Sequence, residues 1–173
     1  LHNHTTLSDG DATLEQMADA ARNIGWNWLG IADHSPTLKV ANGASAEDLL
    51  DQGRQIKQYN EAWASEGTDF RLFHGVESDI LEGGKLDHPD DVLAELDYVV
   101  ASVHAMSKWK NRDDVTNTEE LIRCIDHPAT NVLGHPTGRI LQGRDGYEVD
   151  MFAVIEHMAC LLYTSDAADD RVS

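Results

Sequence analysis

Tyr98-Val99-Val100-Ala101-Ser102-Val103-His104 is a short, largely β-branched apolar run that ends on a histidine. It is too brief for a helix, and its apolar residues do not alternate with polar ones, the pattern of a strand covered on both faces. The same form recurs along the chain. Trp28-Leu29-Gly30-Ile31-Ala32 runs into Asp33-His34, Phe70 to Val76 into Glu77, and Asn131-Val132-Leu133-Gly134 into His135. Leu1-His2-Asn3-His4 reads as the end of a further strand. Helices fall between these runs. Thr13-Leu14-Glu15-Gln16 has the form of a capping box, Leu14, Met17, Ala18, Ala21 and Ile24 follow at helical spacing, and Gly25 closes the helix. Ser45 caps a second helix that continues to Ala64 with Gly67 beyond it. Pro89 to Leu96, Thr118 to Ile125 and Val149 to Met158 read as three more. Strict alternation of apolar strands and helices predicts an α/β fold with a parallel sheet, either open and doubly wound or closed as a barrel.

The chain has 173 residues, 41% hydrophobic and 25% charged, which fits one globular domain with a core and excludes a mainly disordered chain. Its longest apolar stretch, Val99 to Val103, falls far short of the ~20 residues that cross a bilayer, so no membrane partner is expected. A formal net charge of -18 repels phosphate backbones and anionic lipid. Bound cations can reverse that field locally, and the nine histidines direct attention to a metal. Cys124 and Cys160 are too few for a disulfide framework or a cysteine-rich zinc site, so a cytoplasmic setting is expected.

Both ends look artificial. Leu1 to His4 carries neither a methionine nor a signal sequence and reads as a strand already under way. Cys160-Leu161-Leu162-Tyr163-Thr164-Ser165-Asp166-Ala167-Ala168-Asp169 resembles the translation of a sequencing adapter. Residues 1–159 are therefore expected to form the domain, with residues 160–173 as a non-native tail.

The carboxyl ends of the strands carry the chemistry. Period-two spacing turns His2 and His4 to one face, Asp9 follows in the loop Ser8-Asp9-Gly10, and His34, Glu77, His104 and His135 each follow an apolar run. In a parallel barrel such ends converge on one rim, where active sites of that fold are built. Burying so many polar side chains without partners would cost ~1 to 3 kcal/mol each, a cost that shared cations would remove. Imidazole and carboxylate ligands suit zinc, manganese or iron.

At this point the residues resemble the PHP family of metal-dependent phosphoesterases, named for polymerase and histidinol phosphatase. His2-Asn3-His4-Thr5-Thr6-Leu7-Ser8-Asp9-Gly10 looks like its first motif and Asp33-His34-Ser35 its second. Gly75-Val76-Glu77, Ser102-Val103-His104 and His135-Pro136-Thr137-Gly138-Arg139 continue the series. Val40-Ala41-Asn42-Gly43, Leu133 to Arg139 and Tyr147-Glu148-Val149-Asp150-Met151 look like the PHP module of bacterial and archaeal family X DNA polymerases. The resemblance implies a distorted seven-stranded (β/α) barrel, truncated here after about five βα units. It also implies two to three divalent ions. His2 and His4 would hold one, His104 and His135 a second with Glu77 bridging, and Asp9 and His34 would serve a third. The late Asp-x-His motif of the family is missing from the chain. Glu77, His104 and His135 would be the catalytic residues.

The implied function is phosphoester hydrolysis, foremost as the 3′–5′ exonuclease of a family X polymerase, with DNA 3′ ends as substrate and a polymerase domain upstream. A free-standing phosphatase for a small monoester such as histidinol phosphate is an alternative within hydrolases. A noncatalytic metal-binding structural module is the alternative outside them. Lys108, Lys110, Arg112 and Arg139 are the candidates for substrate phosphate, against the plainer reading of a solvated basic loop. His74, His88, His127 and His157 are left out of the site. Trp26, Trp28, Trp63 and Trp109 read as packing residues, with Trp109 a possible stacking platform because two lysines flank it. Gly83-Gly84-Lys85 reads as a turn, and nothing around Ser102 supports a nucleophile.

Overall fold

The computed structural model describes residues 1–140, 142–161 and 164–166. The elements follow as α1 (Leu14–Asn23), β1 (Trp28–His34), a 3-10 turn (Lys39–Ala41), α2 (Ala46–Ser65), β2 (Arg71–Asp79) and α3 (Asp90–Leu93). Then come β3 (Tyr98–Ser102), α4 (Met106–Lys110), α5 (Asp114–Ile125), β4 (Val132–Gly134), α6 (Met151–Leu161) and β5 (Thr164–Asp166). The strand order in the sheet is β1-β2-β3-β4-β5, and β1 with β2, β3 with β4 and β4 with β5 run parallel. The alternation of short apolar runs and helices thus led to the right class.

Several details differ from the sequence reading. Residues 1–4 form no strand: Ala32 N donates to Asn3 O at 2.8 Å, but the next position is filled by the Asn3 side-chain amide donating to Gly30 O at 3.0 Å. One backbone bond beside β1 is not a ladder. Helix α5 begins four residues earlier than expected because Asp113 caps it, accepting from Thr116 N at 2.7 Å. Pro89 to Leu96 contracts to the single turn of α3, and α4 was not anticipated. Finally, α6 runs to Leu161, past the expected end at Met158, and β5 pairs with β4.

The chain divides into two compact units, Leu1–Glu77 with His88–Val99, and Ser78–Asp87 with Val100–Ser173. In the first, both long helices start on capping boxes, Thr13 with Gln16 and Ser45 with Asp48. Gly25 and Gly67, at φ 81° and 75°, end them where a side chain would be strained. Leu14, Ala18 and Ala21 of α1 and Ile56 and Trp63 of α2 close over Leu29, Ile31 and Leu72 of the strands. Trp63 is sandwiched between Tyr59 and Phe70, as its packing role required. Trp26 and Trp28 remain about half exposed, so packing accounts for them only in part. Since β1 and β2 pair with Gly30 opposite Phe73, Ala32 opposite Gly75 and His34 opposite Glu77, these residues share the face opposite Leu29, Ile31 and Leu72.

His74 lies on the helix side of β2, buried, with its ring so close to Gly53 of α2 that a Cβ there would sit 2.7 Å from Cε1 and Nδ1. Burial pushes its pKa down from 6.5 to about 4, against Asp97, Asp33 and the Leu49 backbone, which raise it. The unfolded chain therefore binds a proton that the folded chain refuses. Stability from this group is complete above pH 6.5 and is lost as the pH falls from there toward about 4, an effect of roughly 3 kcal/mol. In urea unfolding across that range, His74→Gln is expected to show a shallower fall than the parent. Parallel curves would remove His74 as the source.

In the second unit, α5 buries Leu121, Cys124 and Ile125. Asn117 donates to the carbonyls of Trp109 at 2.9 Å and Glu148 at 2.8 Å, and Thr118 accepts from Asp150 N at 2.9 Å just before α6. Burial pushes the Cys124 thiol up to about 12, which keeps it inert. Among the described residues no helix is long and apolar enough to cross a membrane.

Candidate metal centre

The first unit gathers His2, His4, Asp9, His34 and Glu77. Glu77, at the end of its run in β2, is 1% exposed. Its Oε1 lies 3.0 Å from His2 Nε2, and its Oε2 lies 2.8 Å from His34 Nδ1 and 3.6 Å from His4 Nε2. His34 Nε2 is 3.6 Å from Asp9 Oδ2, and the His4 and His34 rings stack at 4.2 Å. Two donor sets result, His2 with His4 and Glu77, and His4 with Asp9 and His34, each with its donor atoms within 4.8 Å of one another. Residues 2 and 4 meet the same carboxylate although they lie in no strand.

The donor set fits a divalent cation. His4 Nδ1 is buried with no hydrogen-bond partner among the described residues, and burial, seconded by the neighbouring His34, holds the His4 pKa below the ordinary histidine value. A neutral imidazole with an unused nitrogen is the form that ligates. Three imidazoles around one buried carboxylate, with Asp9 beside His34, match zinc, manganese or iron better than calcium or magnesium.

The second unit brings His104 and His135 together, with ring centroids 5.2 Å apart. His104 Nδ1 donates to Asp79 Oδ1 at 3.1 Å, and Asp79 is buried. His135 adopts φ 24°, on the left-handed side that favours glycine. Asp79 carried no role in the sequence reading. The signal for it was present: two residues after Glu77 on one strand is the same face of that strand.

Asp33, which the sequence places in a motif without a function, is held by four hydrogen bonds beside the site. Its carboxylate accepts from Thr5 N at 2.7 Å, Thr5 Oγ1 at 2.8 Å, Ser8 Oγ at 2.6 Å and Gln52 Nε2 at 2.6 Å.

The basic residues divide. Lys108 and Lys110 on α4 and Arg139 after His135 are exposed. Arg112 instead lies 3.7 Å from Glu120 and over the Trp109 ring. Trp109 is buried against Tyr147, which corrects its reading as a possible stacking platform. Gly83 and Gly84 have φ of 80° and 74°, and Gly84 N donates to Glu120 Oε2 at 2.8 Å, a turn as expected. His74, His88, His127 and His157 join no group of possible metal donors among the described residues. Ser102 Oγ is buried without a hydrogen-bond partner among them.

The family model described as PHP domain matches residues 1–162. The chain is 41% identical over 156 residues to the DNA polymerase/3′-5′ exonuclease PolX of Bacillus subtilis (strain 168), covering 90% of this chain and 26% of that protein. It is 30% identical over 158 residues to a probable phosphatase of Clostridium acetobutylicum, covering 90% of this chain and 57% of that protein. A probable phosphatase of Caldanaerobacter subterraneus is 35% identical over 158 residues, with 90% and 56% covered. The chain thus spans only part of each of these relatives. The crystal structure of a candidate histidinol phosphatase from Listeria monocytogenes shares the fold at a TM-score of 0.62 and 17% identity, over 93% of this chain and 76% of that one.

Proposed function

The chain belongs to the PHP domain family, and from that premise we propose that it is a metal-dependent phosphoesterase module that hydrolyses DNA from the 3′ end within a family X polymerase. The observation that carries the reading is the 41% identity, over 90% of the chain, to a protein whose name joins polymerase and 3′–5′ exonuclease. We further place the chain in a distorted (β/α) barrel, with a polymerase domain upstream in the parent and a cytoplasmic location.

His2, His4, Asp9, His34 and Glu77 would hold divalent zinc, manganese or iron, and His104 with His135 a further ion. When bound, two or three such ions supply positive charge to the phosphate and a nucleophilic water near neutral pH. The chain's own part is orientation and charge. Glu77 presents both carboxylate oxygens to different imidazoles, which sets their spacing. Asp79 accepts the hydrogen bond from His104 Nδ1–H, which keeps the proton on Nδ1 and leaves the lone pair of His104 on Nε2. Lys108, Lys110 and Arg139, exposed on a chain of charge -18, are the cations offered to a substrate phosphate. Arg112 is the weaker fourth, since Glu120 and Trp109 already engage it.

Phosphomonoester hydrolysis is the second reading, supported by the 30% and 35% identity to probable phosphatases. The parent protein supplied with Mn²⁺ is expected to shorten a 5′-labelled DNA strand nucleotide by nucleotide. Hydrolysis of histidinol phosphate with the DNA untouched would install the phosphatase reading. A metal-loaded protein that cleaves neither ester would be a binding or structural module.

A further inference from the structure

We propose that Asp33 is a positioning residue: from the helix side of β1 it fastens the turn carrying His4 and Asp9 to the strand carrying His34, and Gln52 of α2 holds it in place. Alternation along β1 puts Asp33 on the face opposite His34, so the two halves of Asp33-His34 act separately. His34 meets Glu77 on one side at 2.8 Å, while Asp33 meets Gln52 on the other at 2.6 Å. The turn Thr5 to Gly10 wraps the strand end and reaches Asp33 with three donors, one backbone amide and two hydroxyls. A fully buried carboxylate is tolerable only when hydrogen bonds satisfy it, and here four donors converge on its two oxygens.

The same turn is closed from within. Ser8 N and Gly10 N both donate to Thr5 O, at 3.1 and 2.9 Å, and a Cβ on Gly10 would lie 2.4 Å from His4 O. The turn therefore moves as one piece, and its tie to β1 decides where the His4 ring and the Asp9 carboxylate stand relative to His34. Gln52 adds specificity. Its Nε2 points at Asp33 while its buried Oε1 has no hydrogen-bond partner among the described residues, so the amide is kept for its donor end. Asp33 and Gln52 touch neither ion nor substrate on this account.

The metal arm of the test rests on the proposed function, whereas the exchange arm does not. In the metal-free full chain, Asp33→Asn replaces an acceptor by an amide donor facing donors. Hydrogen exchange followed by mass spectrometry is expected to speed up at least about tenfold over the turn, while peptides from α2 and β2 keep the parent's rates. Co²⁺ is expected to bind the folded variant at least about tenfold more weakly, with an altered visible ligand-field band that a remote loss of stability would not produce. Gln52→Met removes one donor and is read in the same way should Asp33→Asn fail to fold. Parent exchange rates over the turn together with the parent's Co²⁺ spectrum, in either folded variant, would overturn the proposal. A parent chain that binds no Co²⁺ but shows the exchange effect would sink the metal reading and leave the clamp standing.

Discussion

Glu77→Gln is expected to reduce phosphoester hydrolysis by at least about 10³-fold and to lower the bound metal by more than one ion per chain. The amide keeps the shape of the side chain and removes its charge. At about 4 Å and an effective dielectric of about 20, each unit of cation charge loses about 4 kcal/mol of attraction, close to three powers of ten in affinity. Sharing is the reason more than one ion should go: Oε1 faces His2 at 3.0 Å, whereas Oε2 faces His34 at 2.8 Å and His4 at 3.6 Å. The check is metal content by elemental analysis beside turnover at saturating Mn²⁺. Loss of a single ion would show that one carboxylate oxygen is idle. Metal content equal to the parent's would remove Glu77 from the centre altogether.

The candidate metal donors were legible because a donor's residue type is visible and its placement follows a simple rule. His34, Glu77, His104 and His135 each follow an apolar run, and strand ends are where a parallel fold leaves side chains open. What was not legible is everything that depends on a partner from another element. Asp33 looked like half of a dipeptide motif, and only the fold brings Thr5, Ser8 and Gln52 to it. Arg112 looked like a free cation because Glu120 is eight residues further on and its burial cannot be read from the chain. The opening residues were assigned to a strand on spacing alone, and the Asn3 amide, by taking a ladder position, undid it. His2 and His4 still meet Glu77 because the register beside β1 survives even where the ladder does not.

The strand glycines were visible without their reason, which is the Tyr98 ring. Gly30 and Gly75 lie on the face shared by His34 and Glu77. A Cβ on Gly75 would stand 2.5 Å from Tyr98 Cζ and 2.7 Å from both Cε atoms, and one on Gly30 would stand 2.6 Å from Tyr98 Oη. The ring is buried, its phenol held protonated by burial, and it donates to Leu1 O at 2.5 Å. It therefore forms the floor at Gly30 and Gly75, on the strand face that carries Glu77, and ties the opening residues to it. Gly75→Ala is expected to cost about 3 kcal/mol, the upper range of overpacking, because β2, β1 and the hydroxyl's bond to Leu1 all resist a shift of the ring. Urea unfolding of the metal-free chain measures it. Combining Gly75→Ala with Tyr98→Leu should recover a large part of the loss, since the smaller side chain leaves room for the methyl. Equal penalties with and without the tyrosine would show that the strain lies in the strand itself, and the floor would then play no part in holding Glu77.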